Sequence, residues 1–196
     1  MKVSAIGILG GVFNPIHHGH LAIARIACDV LKLSFVYFVP TAHPPHKQHK
    51  ITSSYHRGIM VATSLRGVSW ARIYDEELKR KSVSYTIDTI HDLRKRHPRA
   101  ELFFIIGSDN LAQIRTWVRY REIIELVTLV VFERPGYPVK IPAALGSARL
   151  KIIPSPVWGL SSTQLRTMLA DKISCEYLIP EAVRTYIRNH RLYRTV

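Results

Sequence analysis

The chain has 196 residues, 47% of them hydrophobic, which is long and apolar enough to bury one sizeable core, so a single domain over residues 1–196 is expected. Lys and Arg exceed Asp and Glu by 28 to 14, and this net charge of +14 favours anionic partners without choosing between nucleic acid and phosphorylated metabolites. No apolar run reaches the length of a membrane span and the N-terminus has no secretion signal, so we expect a cytoplasmic protein with no membrane partner, its two distant cysteines reduced.

The N-terminal region predicts a phosphate-binding turn between a strand and a helix. Residues 3–9 form an apolar run typical of a buried parallel strand, and residues 21–27 have a helical pattern. The Gly-Gly pair at 10–11 lets a backbone pass close to a ligand, and the free N–H groups at the helix start favour an anion. His17 and His20 share one face of that helix start, so both rings can donate hydrogen bonds to phosphate oxygens.

The chain then alternates between predicted strands and helices. Residues 35–39 predict a second strand, residues 53–65 a helix and residues 71–74 a short strand. The cationic, proline-containing loop 41–50 follows the second strand, at the sheet edge where open α/β sheets bind ligands, although a solvated turn is the plain alternative. We interpret residues 75–81, which are mostly charged, as a solvated connection.

The middle of the chain predicts a second turn with polar residues. Residues 84–96 predict a helix that Ser84 or Thr86 can cap. Residues 102–106 predict the clearest buried strand, which leads to Asp109 and a helix beginning near Asn110, and in a nucleotide site such an acid accepts hydrogen bonds from ribose hydroxyls. Trp117 is either a core residue or an aromatic platform for a flat ring. Two further strands are predicted at 126–132 and 150–153.

A second anion site is predicted near the C-terminus. Ser161 and Gln164 fit a capping box at a helix start. The box leaves unexplained the hydroxyl of Thr163 and the guanidinium of Arg166 one turn further on, and both can bind an anion. Residues 180–192 predict a last helix with one apolar and one basic face.

These motifs carry a resemblance to a known family. The sequence Gly-Gly-Val-Phe-Asn-Pro-Ile-His-His-Gly-His at 10–20 is similar to the signature of nucleotidyltransferases that transfer a nucleotide from ATP or CTP and release pyrophosphate. Over nearly the whole chain, the order and spacing of further motifs resemble the nicotinate-nucleotide adenylyltransferase family, which joins nicotinate mononucleotide to the AMP part of ATP in NAD synthesis. Those motifs lie at 44–47, 84–89, 106–109, 117, 134–136, 161–166 and 186–193.

The resemblance implies an α/β, Rossmann-like nucleotidyltransferase fold, with a central, mostly parallel sheet, helices on both faces and a small C-terminal helical part from about 160–196. It implies ATP binding by Gly10, Gly11, Phe13, His17, His20, Gly107, Asp109, Arg134, Ser162, Thr163 and Arg166, of which His17, His20 and Arg166 would be catalytic. It implies binding of nicotinate mononucleotide by Lys47, Tyr85, Thr86 and Trp117. Mg²⁺ is expected to travel with ATP, because the chain shows no carboxylate cluster suited to a dedicated metal cage.

One departure and two rival functions accompany this interpretation. Val12 stands where a Thr or Ser hydroxyl is usual in the family, so contacts through that hydroxyl are in doubt while contacts through backbone N–H groups are retained. The nearest rival is another adenylyl- or cytidylyltransferase, acting on phosphopantetheine, nicotinamide mononucleotide or a sugar or polyol phosphate. A basic nucleic-acid-binding module is suggested by charge alone and is disfavoured by the motifs. The sequence leaves open the oligomeric state, the preference for the acid over the amide mononucleotide, and whether loop 41–50 closes over substrate.

Overall fold

Six strands build one sheet in which every pair of neighbours is parallel in the computed structural model, which describes residues 4–42, 51–80, 83, 85–146, 148–154 and 159–194. The strands are β1 (Ala5–Gly11), β2 (Phe35–Pro40), β3 (Ala71–Ile73), β4 (Glu101–Gly107), β5 (Thr128–Phe132) and β6 (Leu150–Ile153). Their order in the sheet is β3-β2-β1-β4-β5-β6. The predicted α/β fold is therefore confirmed, with a fully parallel sheet in place of a mostly parallel one.

Helices connect the strands and cover the sheet. They are α1 (His18–Val30), α2 (Ser54–Ser64), α3 (Glu76–Lys79), α4 (Thr86–Arg96), α5 (Ser108–Ala112), α6 (Tyr120–Leu126), α7 (Ser162–Ala170) and α8 (Glu181–Asn189). Short 3₁₀ turns occupy Ile114–Thr116 and Ala143–Leu145. Within the described ranges no helix has the length and apolar character needed to cross a membrane.

The two faces of the sheet carry separate hydrophobic cores because neighbouring side chains of a strand point to opposite sides. In β4, Phe103 and Ile105 pack in the core that includes α1, α2, α7 and α8, whereas Phe104 and Ile106 pack in the core that includes α4, α5 and α6. Both faces are thus buried, which explains why the strands are apolar runs without alternation. Residues of α7 and α8 share the first core with Val36 of β2, so the C-terminal helices pack directly on the sheet.

Three local predictions are corrected by the structure. The stretch interpreted as a solvated connection contains α3, whose Glu77 is buried because the Thr89 hydroxyl donates to its carboxylate at 2.5 Å. The N-cap of α4 is Tyr85 rather than Thr86, and Ser84 lies outside the described residues. The helix expected near Asn110 begins at Ser108 and ends at Ala112.

Candidate active site

A cavity of about 670 Å³ lies at the carboxyl edge of the sheet, where β1 is flanked by β2 on one side and β4 on the other. The strand order reverses direction at this point, which is where ligands bind in open α/β sheets. The volume is typical of small-molecule sites. The cavity is lined by all the described residues that the sequence assigned to a site: Gly10, Gly11, Phe13, His17, His20, Tyr85, Thr86, Gly107, Asp109, Trp117, Arg134, Ser162, Thr163 and Arg166. The remaining assigned residue, Lys47, lies outside the described residues.

The start of α1 presents two adjacent imidazole rings, tilted by 33° to each other, to the cavity. The ring centroids of His17 and His20 are 3.8 Å apart, and the ring of Phe13 meets His20 edge-on at 5.0 Å. The backbone N–H of His17 donates to Nδ1 of His20 at 3.3 Å. Because an acceptor nitrogen of neutral imidazole carries no proton, this hydrogen bond assigns the proton of His20 to Nε2, which makes Nε2 a donor.

His17 is a buried, neutral base. Its side chain is 4% exposed, and its Nδ1 has no hydrogen-bond partner among the described residues. Burial, with smaller contributions from the positive charges of Arg134 and His18, lowers the pKa of His17 from 6.5 to about 4. The guanidinium of Arg134 places positive charge at this part of the cavity wall, which an anionic ligand would compensate.

The depressed pKa of His17 predicts a loss of stability in mild acid. In the unfolded chain His17 binds a proton near pH 6.5, but in the folded protein only near pH 4. Between these values protonation favours the unfolded state, so the contribution is complete above pH 6.5 and is lost as the pH falls towards 4. At pH 5 the loss from His17 amounts to about 2 kcal/mol. The free energy of unfolding, measured in urea at pH 7 and at pH 5, gives this loss.

The variant His17→Gln, which cannot titrate, is the control for this pH effect. The fall in unfolding free energy between pH 7 and pH 5 should be about 2 kcal/mol smaller in the variant than in the wild type. His18 and His97, whose pKa values are also lowered by burial, are present in both proteins and cancel. Identical falls in the two proteins would contradict the buried neutral state.

The start of α7 faces the start of α1 and contacts it directly. The predicted capping box is present: Gln164 N donates to Ser161 Oγ at 3.3 Å and Ser161 N donates to Gln164 Oε1 at 3.0 Å. Ser162 Oγ donates to the carbonyl of Pro15 at 2.9 Å, and Arg166 Nη1 donates to the carbonyl of Asn14 at 2.9 Å. The two segments predicted to bind anions, almost 150 residues apart in sequence, therefore line one cavity.

The turn between β4 and α5 forms the next wall of the cavity. Arg134 and Asp109 form an ion pair, so these two assigned residues are adjacent. A Cβ atom on Gly107 would lie 2.4 Å from Asp109 Oδ1, so the Asp109 carboxylate could not keep its place beside any other residue. Ser108 Oγ accepts from Arg134 N at 2.9 Å, which fixes the segment after β5 to this turn.

A further part of the cavity lining is aromatic and partly acidic. Trp117 packs edge-on against Phe104 at 5.8 Å and remains half-buried, so it serves as a wall of the cavity as well as a neighbour of the core. Tyr85 and Thr86 form the start of α4, and the buried pair Glu77 and Thr89 lies beside them in the lining. Neither member of this pair was singled out from the sequence.

Arg57 is the buried residue at this edge that the sequence interpretation left without a role. It is 1% exposed, and its guanidinium contacts the turn between β1 and α1. The available signal was its position three and four residues before Met60 and Val61, on the helix face that a buried helix fills with apolar side chains.

No cluster of three or more His, Cys, Asp or Glu side chains suited to a metal ion occurs in the described ranges. Three acids line the cavity: Asp109 is paired with Arg134, Glu77 accepts from Thr89, and Glu133 is exposed. The lining therefore fits a metal ion that arrives on the phosphates of a nucleotide better than one caged by protein carboxylates.

A doubly wound parallel sheet with paired histidines at the start of α1, opposed by hydroxyls and an arginine at the start of α7, defines a nucleotidyltransferase. Residues 8–168 match the model of the family described as cytidylyltransferase-like. Within this class, the chain belongs to the nicotinate-nucleotide adenylyltransferase family.

Curated relatives and solved structures agree with this placement. A probable nicotinate-nucleotide adenylyltransferase of Herpetosiphon aurantiacus is 40% identical over 193 residues, covering 96% of this chain and 98% of the relative. The corresponding probable enzyme of Bacillus cytotoxicus is 38% identical over 191 residues, covering 97% and 98%. The nicotinic acid mononucleotide adenylyltransferase of Plasmodium falciparum, solved with NaAD, superimposes with a TM-score of 0.79 at 21% identity and covers 97% of each chain, a likeness of fold.

Proposed function

We infer that this protein transfers AMP from ATP to nicotinate mononucleotide, giving nicotinate adenine dinucleotide and pyrophosphate in NAD biosynthesis. The observation that carries this inference is the convergence of two helix starts, α1 with its histidines and α7 with Arg166, on one cavity that Trp117 also lines. The helix starts suit a triphosphate, and the indole suits a flat ring. Relatives about 40% identical over nearly the full chain carry this activity in their names.

The reaction needs positioning and charge stabilisation more than proton transfer. A phosphate oxygen of the mononucleotide attacks the α-phosphorus of ATP in line, a new P–O bond forms, and the bond from the α-phosphorus to the bridging oxygen of pyrophosphate breaks. The nucleophile is already an anion, so no general base is required and no covalent enzyme intermediate forms. The protein's part is to hold two polyanions together and to stabilise the charge that moves to the leaving group.

We propose that the residues of the two helix starts perform this stabilisation. His20 Nε2 and the guanidinium of Arg166 would donate to the triphosphate from opposite sides, with His17, Ser162 and Thr163 completing the set. Gly10, Gly11 and Phe13 would supply close backbone approach to the nucleotide.

The remaining walls would hold the adenosine and the acceptor. Asp109 would accept hydrogen bonds from the ribose beside Gly107, with Arg134 close by. Trp117 would stack on the pyridine ring while the backbone around Tyr85 and Thr86 binds its carboxylate, and Lys47 would contact the phosphates of the ligand. This placement follows from the family resemblance together with the position of the described residues in the cavity lining.

We propose that Mg²⁺ enters bound to ATP. The lining offers histidines, arginines and hydroxyls to the phosphates, and two of its three acids, Asp109 and Glu77, are already paired, so the phosphate oxygens would supply most of the ligands of the metal. When bound, Mg²⁺ neutralises part of the charge that gathers on pyrophosphate.

We further propose that residues 1–196 act as one unit in the cytoplasm. The packing of α7 and α8 on the sheet supports the first point, and the free, buried thiols of Cys28 and Cys175 support the second. The net charge of +14 supports anionic substrates.

Pyrophosphate release measured with a panel of acceptors tests the function. With ATP and Mg²⁺, we expect release in step with formation of nicotinate adenine dinucleotide when nicotinate mononucleotide is the acceptor. Nicotinamide mononucleotide and phosphopantetheine serve as matched acceptors that differ in the recognised group. Release with phosphopantetheine alone, or with no acceptor in the panel, would contradict the proposal.

A further inference from the structure

Arg57 of α2 is a buried cation that donates only to backbone carbonyls in its described contacts. Nε donates to the carbonyl of Thr52 at 2.9 Å, Nη1 to that of Val12 at 2.7 Å and Nη2 to that of Ala42 at 3.0 Å. The side chain is 1% exposed, and none of the ion pairs in the described part of the chain involves it. A buried charge held only by carbonyl dipoles is unusual and calls for a functional explanation.

The carbonyl of Val12 determines which way the adjacent peptide faces. The C=O and N–H bonds of a trans peptide point in opposite directions, and within the described residues the only cis peptide bond is Asn14-Pro15. Because the carbonyl of Val12 points at Arg57, the N–H of Phe13 points away from Arg57. Val12 and Phe13 line the cavity and Arg57 does not, so the N–H is turned towards the cavity side.

The backbone conformation at this peptide is energetically unfavourable for a residue with a bulky side chain. Phe13 has φ of 48°, in the left-handed region that a bulky residue rarely adopts. Rotation of the Val12-Phe13 peptide would relieve this conformation, and it would also turn a carbonyl oxygen towards the place where an anion binds. A hydrogen bond that holds the carbonyl of Val12 on the far side prevents this rotation.

The same turn is also held by contacts from three other side chains. Arg166 binds the carbonyl of Asn14, Ser162 that of Pro15, and the Tyr193 hydroxyl donates to Asn14 Oδ1 at 2.8 Å. Arg166 and Ser162 line the cavity themselves, whereas Arg57 acts from behind it.

We propose that Arg57 is a positioning residue for phosphate binding: it locks the Val12-Phe13 peptide so that an N–H, not a carbonyl oxygen, faces the triphosphate. This role requires a planar guanidinium that donates to three carbonyls at once. The ammonium group of a lysine cannot replace it. This inference rests on the proposed function, since it assumes a triphosphate at this turn.

Calorimetric titration with inorganic tripolyphosphate tests the proposal on the full-length protein. Arg57→Met should bind the probe about tenfold more weakly or worse, because a buried carbonyl loses its charged donor and the peptide is free to rotate. Arg94→Met is the matched control: Arg94 also donates to a carbonyl, that of Ala100 at 3.1 Å, far from the cavity lining, and the same charge is removed. The control should bind within about twofold of wild type, allowing for salt screening.

Two further measurements separate positioning from simple support of the fold. Arg57→Lys keeps the charge and most of the packing, so the variant should fold. Its affinity for tripolyphosphate should nevertheless be several-fold lower than that of the wild type. Added guanidinium ion, below denaturing concentrations, should restore part of the affinity of Arg57→Ala, whereas tetramethylammonium at equal ionic strength should not. In steady state, the KM for ATP should rise more than the KM for the mononucleotide.

Normal tripolyphosphate affinity in a folded Arg57→Met or Arg57→Lys protein would overturn the proposal, as would the absence of any specific effect of guanidinium. The binding measurement does not depend on the acceptor. A wild-type protein that binds tripolyphosphate yet fails to use nicotinate mononucleotide would refute the proposed function alone. An active wild type with normal affinity in Arg57→Lys would refute the role of Arg57 alone.

Discussion

His20→Ala is expected to lower turnover by a hundredfold or more while the protein remains folded. The ring of His20 is held between Phe13 and His17, and its Nδ1 accepts from the backbone of His17, so Nε2 is a donor fixed in direction before any ligand binds. A donor aimed in advance at developing charge needs no reorganisation during the reaction, and removing one such donor costs on the order of 10²- to 10³-fold in turnover. Steady-state pyrophosphate release measures the effect.

The matched control for this experiment is His18→Ala. His18 is the next residue but one, is also a histidine at the start of α1, and does not line the cavity, so its removal should change turnover less than about threefold. His20→Gln adds a second comparison, since the amide nitrogen of Gln can take the place of Nε2. Partial activity is expected in His20→Gln. Near-normal turnover in His20→Ala would show that the histidine pair of α1 does not act on the leaving group.

The parts of this protein that follow from short stretches of sequence were predictable. The buried strands β1 and β4 are continuous apolar runs, and a strand covered on both faces needs nothing else to mark it. The capping box of α7 is likewise a local pattern, in which Ser161 and Gln164 satisfy each other's backbone groups three residues apart. Local physics sufficed at these places.

The local predictions that were wrong concern features that depend on contacts between residues distant in sequence. The four-residue helix α3 is highly charged, and its buried Glu77 accepts a hydrogen bond from Thr89 of α4, which is distant in sequence. The helix expected near Asn110 is short: it ends at Ala112, Trp117 leaves the helical conformation, and Arg119, at φ of 56°, precedes α6. Nothing within a window of ten residues indicates either outcome.

The candidate site also contains features of both kinds, those that short stretches of sequence predict and those that depend on long-range contacts. Arg57 belongs to the second kind. The residues that line the cavity belong to motifs that follow strands, so their types and spacing point to phosphate chemistry. Arg57 is the fourth residue of α2, and its three acceptors come from two connections of the chain. Val12 follows β1, whereas Ala42 and Thr52 lie near the two ends of the segment between β2 and α2. A sequence shows the residues that touch a ligand more readily than those that hold the backbone in place, because backbone carbonyls carry no residue identity.

Arg166→Ala should lower turnover to a similar degree as His20→Ala, and Arg166→Lys should recover little of it. Nη1 binds the carbonyl of Asn14 and Nη2 contacts Thr163 Oγ1 at 3.2 Å, which engages two of the five N–H donors and fixes the plane of the guanidinium at the cavity wall. A lysine ammonium is a point charge that cannot both bind the Asn14 carbonyl and present a fork to phosphate. The expected loss is on the order of 10²-fold in turnover.

The change in Arg166 variants should appear mainly in kcat rather than in the KM for ATP, because the charge on the leaving pyrophosphate grows only as the reaction proceeds. Arg188→Ala is the control: Arg188 is an exposed arginine of α8 outside the cavity lining, so it removes the same unit of charge without touching the site. A variant of Arg166 that raises the KM for ATP and leaves kcat unchanged would assign this guanidinium to ground-state binding. In that event, charge stabilisation from the α7 side would have to come from the hydroxyls of Ser162 and Thr163, which lie at the same helix start.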